Sequence, residues 1–177
     1  MRVTSAVHGP FDPLHPDPIE GWFAHVLHTP ATDIAAPPAR VWQVLTDFEA
    51  YPAWCPFTRK IETDGVVGHD VRLHLNWNPR ELGDPSEVQV EQVAFWEPEY
   101  AVGWGVTMFG GLLRAERTQV LQPHEGGTRY QTYNRFAGVL TPVVRAVYAA
   151  KIVAGFTALG DALKQRVEDG EHVQAVR

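Results

Sequence analysis

The residues best suited to chemistry fall in two runs. One reads Ala115-Glu116-Arg117-Thr118-Gln119-Val120-Leu121, and the other runs from Tyr130 to Phe136. As strands, both alternate their side chains between two faces. Ala115, Arg117, Gln119 and Leu121 then share one face, opposite Glu116, Thr118 and Val120. Tyr130, Thr132, Asn134 and Phe136 share another, opposite Arg129, Gln131, Tyr133 and Arg135. An arginine turned into a core is costly unless paired. An inward Arg117 would need an anionic ligand group, a carboxylate such as Glu91, or amide and carbonyl partners. Gln119 and Asn134 could hold a ligand carbonyl or stabilise a developing enolate, although neither can act as a general base. Tyr148 could offer its hydroxyl to a ligand or to Arg117. Arg117, Tyr148 and Glu91 are therefore the catalytic candidates, with Tyr148 or Glu91 as acid or base and Arg117 polarising a carbonyl.

Other chemistries find little support. There are 8 His residues, yet no His-x-x-x-His or Cys-x-x-Cys spacing, and His25 and His28 would point to opposite faces of a strand. His74 alternates with apolar residues and should face solvent. No metal and no cofactor is expected. Cys55 is the only cysteine. It excludes an intramolecular disulfide and reads as a small buried residue in an aromatic turn. No nucleophile elbow, phosphate loop or dinucleotide fingerprint occurs. A net charge of −6 without a basic cluster argues against nucleic acid and against an anionic membrane surface. We see no signal peptide and no apolar run of about 20 residues, which a spanning helix needs. Cytoplasmic localisation without integral membrane association is the expectation, as a monomer or homodimer.

These side chains need elements to position them. Residues 1–22 contain Pro10, Pro13, Pro16 and Pro18 and read as an irregular arm. A strand is expected over His25–Ile34. Val41, Val44, Leu45 and Phe48 at helical spacing predict a short helix over 38–47, and Tyr51, Pro52, Trp54 and Pro56 a second helical turn. From Phe57 to Phe136, β-rich runs alternate with turn signals such as Asp64-Gly65, Asn78-Pro79 and Gly126-Gly127. Six antiparallel strands are expected there. In one of them Val71, Leu73, Leu75 and Trp77 make a buried face against Arg72, His74 and Asn76.

Thr141-Pro142 opens a final helix with an N-cap and an early proline. Val144, Tyr148, Ile152, Phe156, Leu159, Leu163 and Val167 form its apolar stripe, and Gly170 supplies a stop, leaving a tail over 171–177. About 28 residues give a helix roughly 40 Å long, enough to cross a sheet. Gly155 and Gly160, with Ala150, Ala154 and Ala158, thin its middle. That permits either close helix–sheet contact or leftover space, and in a helix gripped by a curved sheet such space is a cavity.

In order and spacing these pieces resemble the START-like helix-grip superfamily (SRPBCC), in particular its bacterial polyketide cyclase/dehydrase and lipid-transport branch. Ile34-Ala35-Ala36-Pro37 followed by Val41-Trp42-Gln43-Val44-Leu45-Thr46-Asp47 resembles the family opening. Phe48-Glu49-Ala50-Tyr51-Pro52-Ala53-Trp54, then Pro56-Phe57, is similar to its next segment. Glu97-Pro98 precedes a strand with Gly103-Trp104, Gly126-Gly127-Thr128 opens another that leads to Phe136-Ala137-Gly138, and Gly155-Phe156 to Ala162-Leu163-Lys164 resembles the ending. The likeness covers about 25–168.

The resemblance implies an α+β helix-grip domain over 23–170: a curved seven-stranded antiparallel sheet around the long helix, with two short helices between strands 1 and 2. It turns Arg117, Gln119, Thr132 and Asn134 into the barrel mouth. Trp77, Trp104, Tyr130 and Phe136 join them as expected ligand-binding residues, with Tyr148, Ile152 and Phe156 from the helix. Among the tryptophans, Trp42, Trp54 and Trp77 are otherwise core by default, and Trp104 is the one expected to border the cavity. Three functions remain open because one fold hosts many: a carrier of a small hydrophobic or aromatic, polyketide- or lipid-like molecule; a cofactor-independent cyclase/dehydratase acting mainly by holding its substrate in a reactive conformation; and a regulatory or stress-related interaction module.

Overall fold

A computed structural model describes residues 2–6, 9–80 and 82–175 of the chain. Two short strands come first, β1 (Val3–Ser5) and β2 (Gly9–Phe11), followed by β3 (His25–His28) and β4 (Thr32–Ile34). The helix α1 (Pro38–Thr46), a single 3-10 turn at Phe48–Ala50 and α2 (Tyr51–Trp54) come next. Then follow β5 (Thr58–Glu62), β6 (Asp70–Leu75), β7 (Glu87–Glu97), β8 (Ala101–Met108), a 3-10 turn at Phe109–Gly111, β9 (Leu113–His124), β10 (Gly127–Ala137) and α3 (Thr141–Ala175).

Strands β3 to β10 form one 8-stranded antiparallel sheet in the order β3-β10-β9-β8-β7-β6-β5, with β4 also on β10. This is the expected helix-grip sheet with one strand more. The expected strand over His25–Ile34 is divided because Pro30 has no N–H for the ladder. His28 lies opposite Tyr133 and Thr32 opposite Tyr130, so four steps on one strand meet three on β10. Thr29 bridges the break, its backbone N–H and its hydroxyl both donating to the Thr132 carbonyl.

The inner face of the sheet, α1, α2 and α3 share one core, with Val41, Leu45, Leu73, Leu121, Leu159 and Leu163 almost wholly buried. Pro38 opens α1 where a missing N–H costs nothing. Two expectations about α3 need correction. It does not stop at Gly170 but continues to Ala175, leaving only Val176 and Arg177 of the expected tail, outside the described residues. Its most apolar 18-residue window also has a mean hydropathy of 1.4, so by length and composition alone it could cross a membrane. Arg145 and Lys151 hide that property from a search for an unbroken apolar run. In this fold α3 is the helix that the sheet grips.

The N-terminal arm is not wholly irregular. β1 and β2 form a hairpin on the outer face of the sheet and build a second core with Ala94, Phe95, Val120 and Tyr133. Phe11 meets the Phe95 ring at 5.1 Å, and the Arg135 guanidinium lies 3.8 Å over Phe11. Glu116, on the outward face of β9, is consequently buried and accepts hydrogen bonds from Ser5 and Arg135.

Candidate functional site

The cavity arises where strands part company. The β7–β8 ladder starts only at Gln92 opposite Gly105. Ahead of it, Glu87–Glu91 pair with β6 alone. The end of β8 and the Phe109–Gly111 turn swing away, and the first half of α3 spans the gap. The result is a cavity of about 480 Å³ between sheet and helix, within the size range of small-molecule pockets.

Its walls are mainly apolar, drawn from Phe57 and Leu75, from Val106 and Ala115, and from Val144 and Ile152. Polar groups gather at one side. Arg117 and Asn134 are cross-strand partners on β9 and β10, both buried and both facing the cavity. Glu91 faces it from β7. The Arg117 guanidinium lies 4.9 Å from the centre of the Phe156 ring, and its Nε has no hydrogen-bond partner among the described residues. No carboxylate among the described residues comes within the 4.0 Å of an ion pair with it. Burial pulls the Arg117 pKa below its ordinary value, and attraction to Glu91 opposes that pull. Burial likewise raises the Glu91 carboxyl above the usual carboxylate range, against the counter-pull of Arg117. A cation and a reluctant carboxylate thus share one apolar chamber.

Seven of the eleven expected ligand-binding residues meet at this cavity, beside the catalytic candidate Glu91: Trp77, Arg117, Asn134 and Phe136 from the sheet side, and Tyr148, Ile152 and Phe156 from α3. Trp77 stands at the mouth, its Nε1 donating to Glu87 at 2.7 Å and its ring 5.3 Å from Phe57 and 6.1 Å from Tyr148. It sits there because β6 ends at Leu75. Asn76, expected to face outward, instead folds in and ties the loop by donating to the Pro56 and Asn78 carbonyls.

Four expected residues lie elsewhere. Trp104 is fully buried against Phe48 and Trp96, because the 3-10 turn after α1 covers that part of the sheet. Thr132 donates to the Tyr130 hydroxyl, which donates to Gln119, each at 2.8 Å. These three satisfy one another beneath α3. Gly160 explains it: a Cβ there would come within 2.8 Å of Thr32 and 3.4 Å of Tyr130. At Gly155 a Cβ would sit 2.6 Å from the Phe57 ring. The glycines therefore serve close helix–sheet contact, and the free space lies further towards the helix N-terminus. The expected set also omitted the mouth itself, Val88 and Val90 on β7 with Met108 at the end of β8 and Phe109 in the turn after it. Alternation in Glu87-Val88-Gln89-Val90-Glu91 signals a strand, but nothing local tells that its neighbour leaves it.

Cys55 is buried and its thiol is pushed up to about 11 by desolvation, which suits a packing role. Among the described residues no group of three or more His, Cys, Asp or Glu could hold a metal ion.

A sequence profile of the polyketide cyclase/dehydrase and lipid transport family matches residues 25–168. The chain belongs to this family. No curated protein matches it in sequence. Solved structures share its fold at low identity. A Thermus thermophilus protein is 19% identical with a TM-score of 0.59, over 82% of this chain and 99% of that one. A Mesorhizobium loti protein is 22% identical with a TM-score of 0.56, over 82% and 96%. Ara h 8.0201 is 14% identical with a TM-score of 0.59, over 82% and 99%. The family and these structures agree on the helix-grip architecture.

Proposed function

We propose that this family member binds a small, largely apolar or aromatic molecule in the cavity, with an anionic or strongly accepting oxygen of that molecule set against Arg117. The observation that carries the reading is the Arg117 guanidinium, buried in an apolar chamber with Nε unpartnered among the described residues and no ion pair. A buried cation without a partner is expensive, and a ligand oxygen would relieve that cost.

Two fluorescent probes test it. 1-Anilinonaphthalene-8-sulfonate is aromatic and anionic, and N-phenyl-1-naphthylamine has a similar aromatic body without the charge. Both should bind. Arg117→Met should weaken the sulfonate about 10- to 100-fold, the value of a charged hydrogen bond, and leave the neutral probe nearly unchanged. Equal affinity of the sulfonate for both proteins would refute the role given to Arg117.

Glu91 favours a second reading, in which the bound molecule is also converted. A carboxyl with a raised pKa that faces the same cavity as an arginine can move a proton while the arginine holds a developing enolate. Glu91→Gln should then abolish turnover of a poly-β-keto substrate but preserve its binding. Turnover retained by that variant would refute the role given to Glu91, and a parent chain that binds the substrate without turning it over would leave the carrier reading alone.

A further inference from the structure

The first half of α3 is unusually bare. None of its residues is buried between Pro142 and Lys151, and Val143 and Val147 are 59% and 55% exposed. Val143, Val147, Ala150 and Ala154 follow one another at helical spacing, on the side opposite Ile152 and Phe156. Only 22% of the helix's most apolar window is buried.

This stripe does not stand alone. Beside it the cavity mouth exposes Val88, Val90, Met108 and Phe109. From Phe109 the apolar surface continues through Leu112, whose carbonyl accepts from Leu140, to Val139 and to Trp22, whose carbonyl accepts from Gly138. Trp22 and Phe23 are 75% and 59% exposed. Two of these aromatics, Phe23 and Phe109, have φ angles of 52° and 53°. Such a conformation is strained for a bulky residue and persists only where the surroundings enforce it. Both strained rings point outward at the same end of the barrel.

The charges narrow the occupant. No Asp or Glu occurs between Glu125 and Asp161, in a chain of net charge −6. The bare half of α3 carries only the exposed cations Arg145 and Lys151. Glu87 at the mouth is engaged by Trp77 and Gln89, and Glu20 precedes Trp22. A second copy pairing on this helix face would bring cations against cations. A bilayer instead offers phosphates to Arg145 and Lys151 and hydrocarbon to the rings and valines.

We infer that this end of the molecule docks on a lipid bilayer surface, with the cavity mouth facing the lipid. Whole-chain charge gives no hint of it, because the attachment is mainly apolar and its cations are local. The inference stands apart from the identity of the cavity's occupant.

The full chain is mixed with vesicles of phosphatidylcholine, alone or with phosphatidylglycerol, and the sedimenting fraction is measured. It should sediment with both, more strongly with the second. Phe109→Asn relieves backbone strain while removing the ring, and Val147→Glu charges an exposed position, so both should fold. Each should weaken partition about tenfold, roughly the burial of one apolar side chain. Val66→Ser, at an exposed valine in the β5–β6 turn, should not. Arg117→Met should sediment like the parent chain, which separates this test from that of the cavity. Three results would overturn the inference: no sedimentation with either vesicle, an equal loss with Val66→Ser, or a solution dimer that Val147→Glu dissolves in a chain that ignores vesicles.

Discussion

Arg117→Met separates a binding residue from a structural one, because the two roles predict opposite signs for stability. Methionine keeps the length of the side chain and its contact with Phe156 while removing the charge. The folded, ligand-free protein holds this guanidinium in an apolar cavity. Its visible compensation is the Phe156 ring at 4.9 Å, worth about 0.5–2 kcal/mol. Replacing buried charges by apolar groups of similar size can gain about 1–4 kcal/mol. At the middle of both ranges the difference is a net stabilisation of about 1 kcal/mol, or a rise in Tm of about 2–4 °C for a chain of this size. Glu91 makes no ion pair with Arg117 among the described residues, so the substitution strands no salt-bridge partner. Thermal unfolding without ligand at neutral pH gives the answer. A Tm lowered by several degrees would mean that Arg117 holds the fold together, and the argument for an absent ligand oxygen would collapse.

Glu116→Ala should destabilise by about 3–5 kcal/mol in urea unfolding, since it strands the buried Arg135 cation. It should also expose the N-terminal hairpin to protease, because Ser5 loses the same carboxylate. Gly155→Ala should cost about 1–3 kcal/mol by overpacking, as the new methyl meets the Phe57 ring at 2.6 Å; unchanged stability would show that α3 can shift outward. Glu91 makes stability fall as pH rises. Its folded pKa is raised, so the folded state binds the proton more tightly than the unfolded state does. The penalty is absent below the usual carboxylate value and complete above the raised one. Glu91→Gln should flatten the stability profile across that window relative to the parent chain, and identical profiles would refute the assignment.

Periodicity divided β9 and β10 into two faces, because alternation is a local property, and the family resemblance told which face turns inward. Arg117 and Asn134 followed from it. Which inward residues reach the cavity is not local. Trp104 shares a face with Arg117 and is its cross-strand partner, yet Phe48 from a segment far along the chain covers it. Gln119, Tyr130 and Thr132 also face inward, and close approach of α3 at Gly160 seals them into their own hydrogen bonds. A glycine in a helix reads equally as space or as contact until its neighbour is known. Here both glycines mean contact, and the cavity lies towards the helix N-terminus from them, reaching Val144 as well as the expected Tyr148, Ile152 and Phe156.

That placement explains why the polar side of the cavity is polar. Where α3 is pinned at Gly160, the inward Gln119, Tyr130 and Thr132 find partners in one another. Beyond Gly155 towards the helix N-terminus no glycine draws α3 onto the sheet, and the β7–β8 ladder has not yet begun. Arg117 stands at that boundary: near enough to the core to be buried, too near the opening to be paired by the chain itself. If the free space were a packing accident, an apolar residue would serve better there, because burying a cation without an ion-pair partner costs more than its contact with Phe156 returns. Its presence is accounted for when something outside the chain completes it. On the proposed reading that molecule enters at the open end, with its bare helix and outward aromatics.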